Sequence, residues 1–87
     1  MSATDAREAL HTLMATRKAG ATVCPSEVAR AISSERNWRK AMPIVHATVD
    51  TLLTEGLIHL SWKGTSMAAR SGPYRIAPAG SERGGPK

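Results

Sequence analysis

The chain has 87 residues, of which 41% are hydrophobic and 22% charged, a balance that fits one small globular domain and excludes a disordered or multidomain chain. No stretch approaches the roughly 20 apolar residues of a membrane-spanning helix, and Met1-Ser2-Ala3-Thr4-Asp5 lacks the basic and apolar stretches of a secretory leader, so a soluble, cytoplasmic protein without a membrane partner is expected. The lone Cys24 excludes an internal disulfide and a Cys-rich zinc site, and a formal charge of +5 admits an anionic partner without specifying it.

The first element is a helix from residue 4 or 5 to Ala19. Ser2 or Thr4 can cap it, Asp5 and Glu8 suit its first turn, and Ala6, Leu10, Leu13 and Met14 form one apolar stripe. Arg17 and Lys18 suit its last turn and Gly20 its left-handed exit. After the extended link 21–23, Cys24-Pro25-Ser26-Glu27 has the order of a helix start: cap, proline at the first position, glutamate at the third. Val28, Ala29 and Ile32 then face inward, and Ser33-Ser34 end this second helix.

A third helix begins after Asn37. Trp38, Met42, Val45, Val49 and Leu52 recur at intervals of four and three, which places them on a single core stripe. Pro43 removes one N–H and crowds the carbonyl of Arg39. Because the stripe keeps its register across Pro43, one kinked helix is expected rather than two, with a restart at Pro43 as the alternative. Gly56 ends it. Residues 57–62 alternate as a strand, Lys63-Gly64 turns, 67–70 is ambiguous, Ser71-Gly72-Pro73 punctuates, and 74–77 forms a second strand with Tyr74 and Ile76 inward. Residues 1–77 therefore make the domain. Residues 78–87 hold no apolar side chain large enough to dock, and a disordered C-terminal tail is expected.

Three helices followed by a two-stranded β-hairpin give an α+β class and the order of a winged helix–turn–helix domain. The second and third helices form the motif and the hairpin forms the wing. With no Phe, the core must be built from Leu, Val, Ile, Met and Ala around Trp38.

The segments Cys24-Pro25-Ser26-Glu27-Val28-Ala29-Arg30, Trp38-Arg39, Met42-Pro43, Gly56-Leu57-Ile58, Lys63-Gly64 and Gly72-Pro73-Tyr74-Arg75-Ile76 follow one another in this order. In them the chain resembles, over residues 6–77, a small bacterial domain-of-unknown-function family of winged-helix type. The resemblance implies a fold and no biochemical activity. Two departures from it fall on the surface a nucleic acid would touch: His46 stands where the resemblance leads one to expect Arg, and 65–70 lacks an Asp-Pro turn.

The charge has a location. Residues 1–29 are neutral, whereas 30–87 hold nine basic residues against Glu35, Asp50, Glu55 and Glu82. In a helix–turn–helix the start of the recognition helix enters the major groove, and the wing reaches phosphates or the minor groove. Arg36, Arg39, Lys40 and His46, with Lys63, Arg70 and Arg75 on or beside the hairpin, are therefore the candidate contacts to double-stranded DNA. The outward face Pro43, Ala47, Asp50, Thr51 and Thr54 offers no side chain suited to base edges, so weak sequence discrimination is expected, as in an accessory protein of transcription. Structural roles compete: Arg39 can stack on Trp38 or pair with Glu35, Arg75 can pair with Glu55 or Asp50, and Arg30 can bind a carbonyl or Glu27. The alternative function is a protein-interaction or dimerisation module that uses the Pro, Ala and Thr face beside Ile44. No catalysis, cofactor or metal is expected. Cys24 is explained as a helix cap, and His11, His46 and His59 fall on three separate elements without the i, i+4 spacing of a helical metal site.

Overall fold

The computed structural model describes residues 2–17 and 21–79. Three helices, α1 (Ala3–Ala15), α2 (Pro25–Ile32) and α3 (Trp38–Thr54), precede three strands, β1 (Ile58–Trp62), β2 (Thr65–Met67) and β3 (Arg75–Pro78). The strands form an antiparallel sheet in the order β2-β1-β3. The class is α+β, and the arrangement is compatible with a winged helix.

Ser2 caps α1 by accepting the Asp5 N–H at 3.2 Å. The helix stops four residues before the expected Ala19. Thr16 ends it, its hydroxyl donating to the Leu13 carbonyl at 3.0 Å and so satisfying an end-of-helix acceptor. The roles expected of Lys18 and Gly20 lie outside the described residues. Before α2, the Cys24 N–H donates to Glu27 Oε2 at 3.0 Å, the backbone half of the expected capping arrangement. The Arg17 guanidinium also reaches Glu27 and ties the exit of α1 to the start of α2.

α3 is one helix with Pro43 inside it. Pro43 is exposed, while the core stripe passes it without a break in register. At the other end Gly56, at φ 75°, closes the helix. Its N–H donates to the Leu53 carbonyl and that of Leu57 to the Leu52 carbonyl, both at 3.0 Å, the paired bonds of a Schellman motif.

The expected two-stranded wing is corrected to three strands. Lys63 and Gly64 both adopt left-handed backbone, at φ 52° and 83°, so the turn between Trp62 and Thr65 is a two-residue primed turn that folds Thr65–Met67 back onto β1. The outer edge of β3 is closed by the segment before α2: Val23 and Ile76 exchange two backbone bonds, at 2.7 and 2.9 Å. β3 runs to Pro78, and the Ala79 N–H donates to the Leu57 carbonyl at 3.1 Å. The domain thus extends past the expected limit at 77, and residues 80–87 of the expected tail lie outside the described residues.

Leu10, Val23, Val28, Val45, Val49, Leu60 and Ile76 are the largest fully buried side chains. Each contributes on the order of 1.5–3 kcal/mol through its removal from water. Trp38 is partly buried and packs at the margin of this cluster, so the core does not form around it; Tyr74 is the buried aromatic residue. Thr48 also lies on the buried stripe of α3, and its hydroxyl has no hydrogen-bond partner. Replacing a buried, unpaired hydroxyl with a methyl removes a desolvation cost of about 1–3 kcal/mol. Thr48→Val is therefore expected to raise the urea midpoint, by up to that amount in free energy.

Candidate functional site

The start of α3 is set by the turn before it. The Asn37 N–H donates to both the hydroxyl and the carbonyl of Ser34, at 3.1 and 3.2 Å, and the Lys40 N–H donates to the Asn37 carbonyl at 2.9 Å. Asn37 makes no side-chain cap, and the first turn of α3 holds no acidic residue. Its second and third positions are Arg39 and Lys40 instead. Cations there oppose the positive end of the helix dipole, where a carboxylate would be favoured by about 0.3–1 kcal/mol. Arg36, Arg39 and Lys40 are all exposed, and among the described residues none of them forms an ion pair.

Lys63 is placed in a comparable way. It sits at the first position of the β1–β2 turn with a left-handed backbone that favours Asn, Asp or Gly. It too is exposed and without an ion pair among the described residues. At both places a positive charge occupies a position where the helix dipole or the turn geometry favours another residue type.

The other three candidates are engaged in holding the fold. Arg70 grips Asp50 with two bonds, Nε to Oδ1 at 3.0 Å and Nη2 to Oδ2 at 3.1 Å, and so ties the loop before β3 to the outward face of α3. Arg75 donates from Nε to Thr22 Oγ1 at 2.8 Å and from Nη2 to the Thr22 carbonyl at 3.4 Å, rather than pairing with Glu55 or Asp50. His46 Nδ1 lies 2.7 Å from the Tyr74 hydroxyl, with the two rings tilted by 54°. The structure therefore brings Arg36, Arg39 and Lys40 together at one end of α3 and sets Lys63 in the β1–β2 turn, while His46 and Arg70 join α3 to the segment before β3 and Arg75 joins β3 to the link before α2.

Burial pushes the His46 imidazole below its ordinary value of 6.5; the nearby Arg70 guanidinium adds to this and Asp50 opposes it. The bond from Arg70 holds the Asp50 carboxyl below the usual carboxylate value, and burial pushes the Tyr74 hydroxyl up. A histidine whose pKa is depressed in the fold takes up its proton first in the unfolded chain, so the stability it contributes is present above about pH 6.5 and is lost as pH falls from there through the folded value. Thermal melts between pH 8 and pH 5 are expected to show Tm falling below pH 6.5, with a shallower fall in His46→Asn. An equal slope in both proteins would remove His46 as the cause.

At Trp38 the expected stack of Arg39 is present, and a second guanidinium joins it that sequence spacing does not show. Its ring lies under two guanidiniums, Arg39 from its own helix and Arg30 from α2, each 4.6 Å from the ring centroid. Arg30 also pairs with Glu35 at 3.3 Å and reaches Ser26 Oγ at 3.4 Å, rather than Glu27. Elsewhere, Cys24 Sγ lies 3.1 Å from Ser26 Oγ, while His11 and His59 are on α1 and β1. No three His, Cys, Asp or Glu among the described residues form a metal-binding group. No helix among them is long and apolar enough to cross a membrane. A groove of about 900 Å³ runs between α1 and the base of the sheet, lined by Met14, Ala15, Leu52, Leu57, Ile58 and Pro78 among others.

The family model described as a protein of unknown function (DUF3253) matches residues 3–78 of the chain. Comparison with curated proteins gives no match.

Proposed function

The chain belongs to the DUF3253 family, and we propose that it acts as a winged-helix protein of the cytoplasm that binds double-stranded DNA, without catalysis and with weak sequence discrimination. The observation that carries this reading is the placement of the unpaired cations. Arg39 and Lys40 oppose the dipole of α3, and Lys63 occupies a left-handed turn position. The helix dipole and the turn geometry favour other residue types at these positions, although the stack on Trp38 helps to hold Arg39, whereas a phosphate backbone rewards all three cations. The outward face of α3 supplies positioning rather than base reading: Pro43, Ala47, Thr51 and Thr54 are exposed, and the carboxylate of Asp50 is occupied by Arg70. Contacts to phosphate without base-edge hydrogen bonds hold a duplex in register but distinguish sequences poorly.

The test is a fluorescence-anisotropy titration of random and fixed-sequence duplexes at several salt concentrations. Comparable affinities for the different sequences and a steep salt dependence are expected. A second reading, a protein-interaction or dimerisation module, is favoured by the apolar groove and by Leu57, which is 50% exposed at its rim. Sedimentation separates the two: a salt-insensitive dimer that does not bind DNA would favour the second.

A further inference from the structure

We infer that Arg30, Trp38 and Arg39 form a two-point clamp for neighbouring phosphates of one strand, with Glu35 as an internal competitor that the phosphate displaces. This inference rests on the DNA-binding reading and extends it to α2.

Two guanidiniums from different helices share one indole, each 4.6 Å from its centroid. Attraction between each cation and the ring's π face holds both, yet the two cations repel each other, as do Arg36 and Lys40 nearby. Among the described residues, the only carboxylate against this group is Glu35, which meets Arg30 at 3.3 Å. Glu35 has a side-chain exposure of 83%, and a pair so open to solvent is held weakly. Arg30, Arg36, Arg39 and Lys40 around the junction of α2 and α3 thus outnumber Glu35, with the guanidiniums of Arg30 and Arg39 already stacked in place.

Fixing matters because an arginine immobilised on binding loses side-chain freedom. The stack on Trp38 removes much of that loss in advance for both arginines. The planar guanidinium stacks with its face and keeps its edge N–H donors for an oxygen acceptor, which a lysine ammonium cannot reproduce. A phosphodiester oxygen can replace Glu35 at Arg30 while a neighbouring phosphate meets Arg39. The ligand is therefore a polyanionic strand with repeated phosphates rather than a single small anion.

The measurement is the dependence of duplex affinity on salt for the wild type, Arg30→Gln, Glu35→Gln, Arg39→Lys and Trp38→Leu, each with a thermal melt. The wild type is expected to bind. Arg30→Gln should flatten the slope of log K against log salt by about 0.9, the loss of one phosphate contact. Glu35→Gln should bind several-fold more tightly, and Arg39→Lys several-fold more weakly although it keeps its charge. Trp38→Leu should weaken binding, and Arg39→Lys carries the same test if Trp38→Leu does not fold. A wild type that binds with Arg30→Gln and Glu35→Gln indistinguishable from it would overturn the clamp and leave the DNA-binding reading standing. A wild type that binds no duplex at low salt would overturn both.

Discussion

Reversing the charge at Arg39, Lys40 and Lys63 together is expected to abolish duplex binding and leave the melting temperature unchanged or slightly raised. A salt slope of about −0.9 per phosphate makes each contact worth roughly tenfold in affinity at 50 mM salt, so losing three lowers it by roughly 10³-fold before repulsion is counted. The expected effect on stability has the opposite sign. A glutamate at position 40 would lie in the first turn of α3, where no acid now stands, and gain about 0.3–1 kcal/mol from the helix dipole. A glutamate at position 39 makes a similar gain but loses the stack on Trp38, worth about 0.5–1 kcal/mol at an exposed site. Anisotropy with a fluorescent duplex and a thermal melt of the same preparation read the two quantities together. A fall in affinity matched by a fall in Tm would mean that these cations serve the fold.

Ile76→Ala is expected to be the most damaging single substitution in the sheet. Ile76 is 0% exposed, pairs with Leu60 on β1, and exchanges backbone bonds with Val23 on its other side. Truncating such a side chain costs about 2–5 kcal/mol, from lost burial and from the cavity left behind. At about 0.05–0.15 kcal/mol per residue, a domain of this length has total stability of the same order, so the variant is expected to be largely unfolded at moderate urea. Leu57→Ala is the contrast. Leu57 is half exposed on the rim of the groove, and its truncation is expected to move the urea midpoint little.

Most of the scaffold is legible in the sequence because its signals are local. The stripe through Val45, Val49 and Leu52 has a helical period that survives Pro43, Cys24-Pro25-Ser26-Glu27 writes out a helix start, and Tyr74 and Ile76 alternate as an inward strand face. The misses are non-local or depend on backbone geometry. The third strand follows from the left-handed pair Lys63-Gly64, and a lysine in that role weakens the turn signal that Asn-Gly would give. The bridge from Val23 to Ile76 joins residues far apart in the chain, which no periodicity reveals. Thr48 was within reach, because a position between Val45 and Val49 on one face is buried whatever its polarity.

The candidate site divides along the same line. Arg36, Arg39 and Lys40 are legible as a cluster because they are close in sequence. Arg70 and Arg75 look equally available in the sequence, and only tertiary packing assigns them to Asp50 and Thr22. Arg30 shows the reverse: it is unremarkable in sequence and is brought to the α3 cluster by Trp38 and the close packing of α2 on α3.

Binding of DNA as proposed requires that the cations at the start of α3 and at Lys63 in the β1–β2 turn serve a phosphate backbone. The most direct measurement is titration of the wild-type protein into a random-sequence duplex from low to physiological salt. Saturable binding at low salt is predicted, with log K falling linearly against log salt at a slope of about −3.6 for contacts from Arg36, Arg39, Lys40 and Lys63, steepening to about −4.5 where Arg30 adds a fifth. No binding at low salt, or an affinity indifferent to salt, would contradict it.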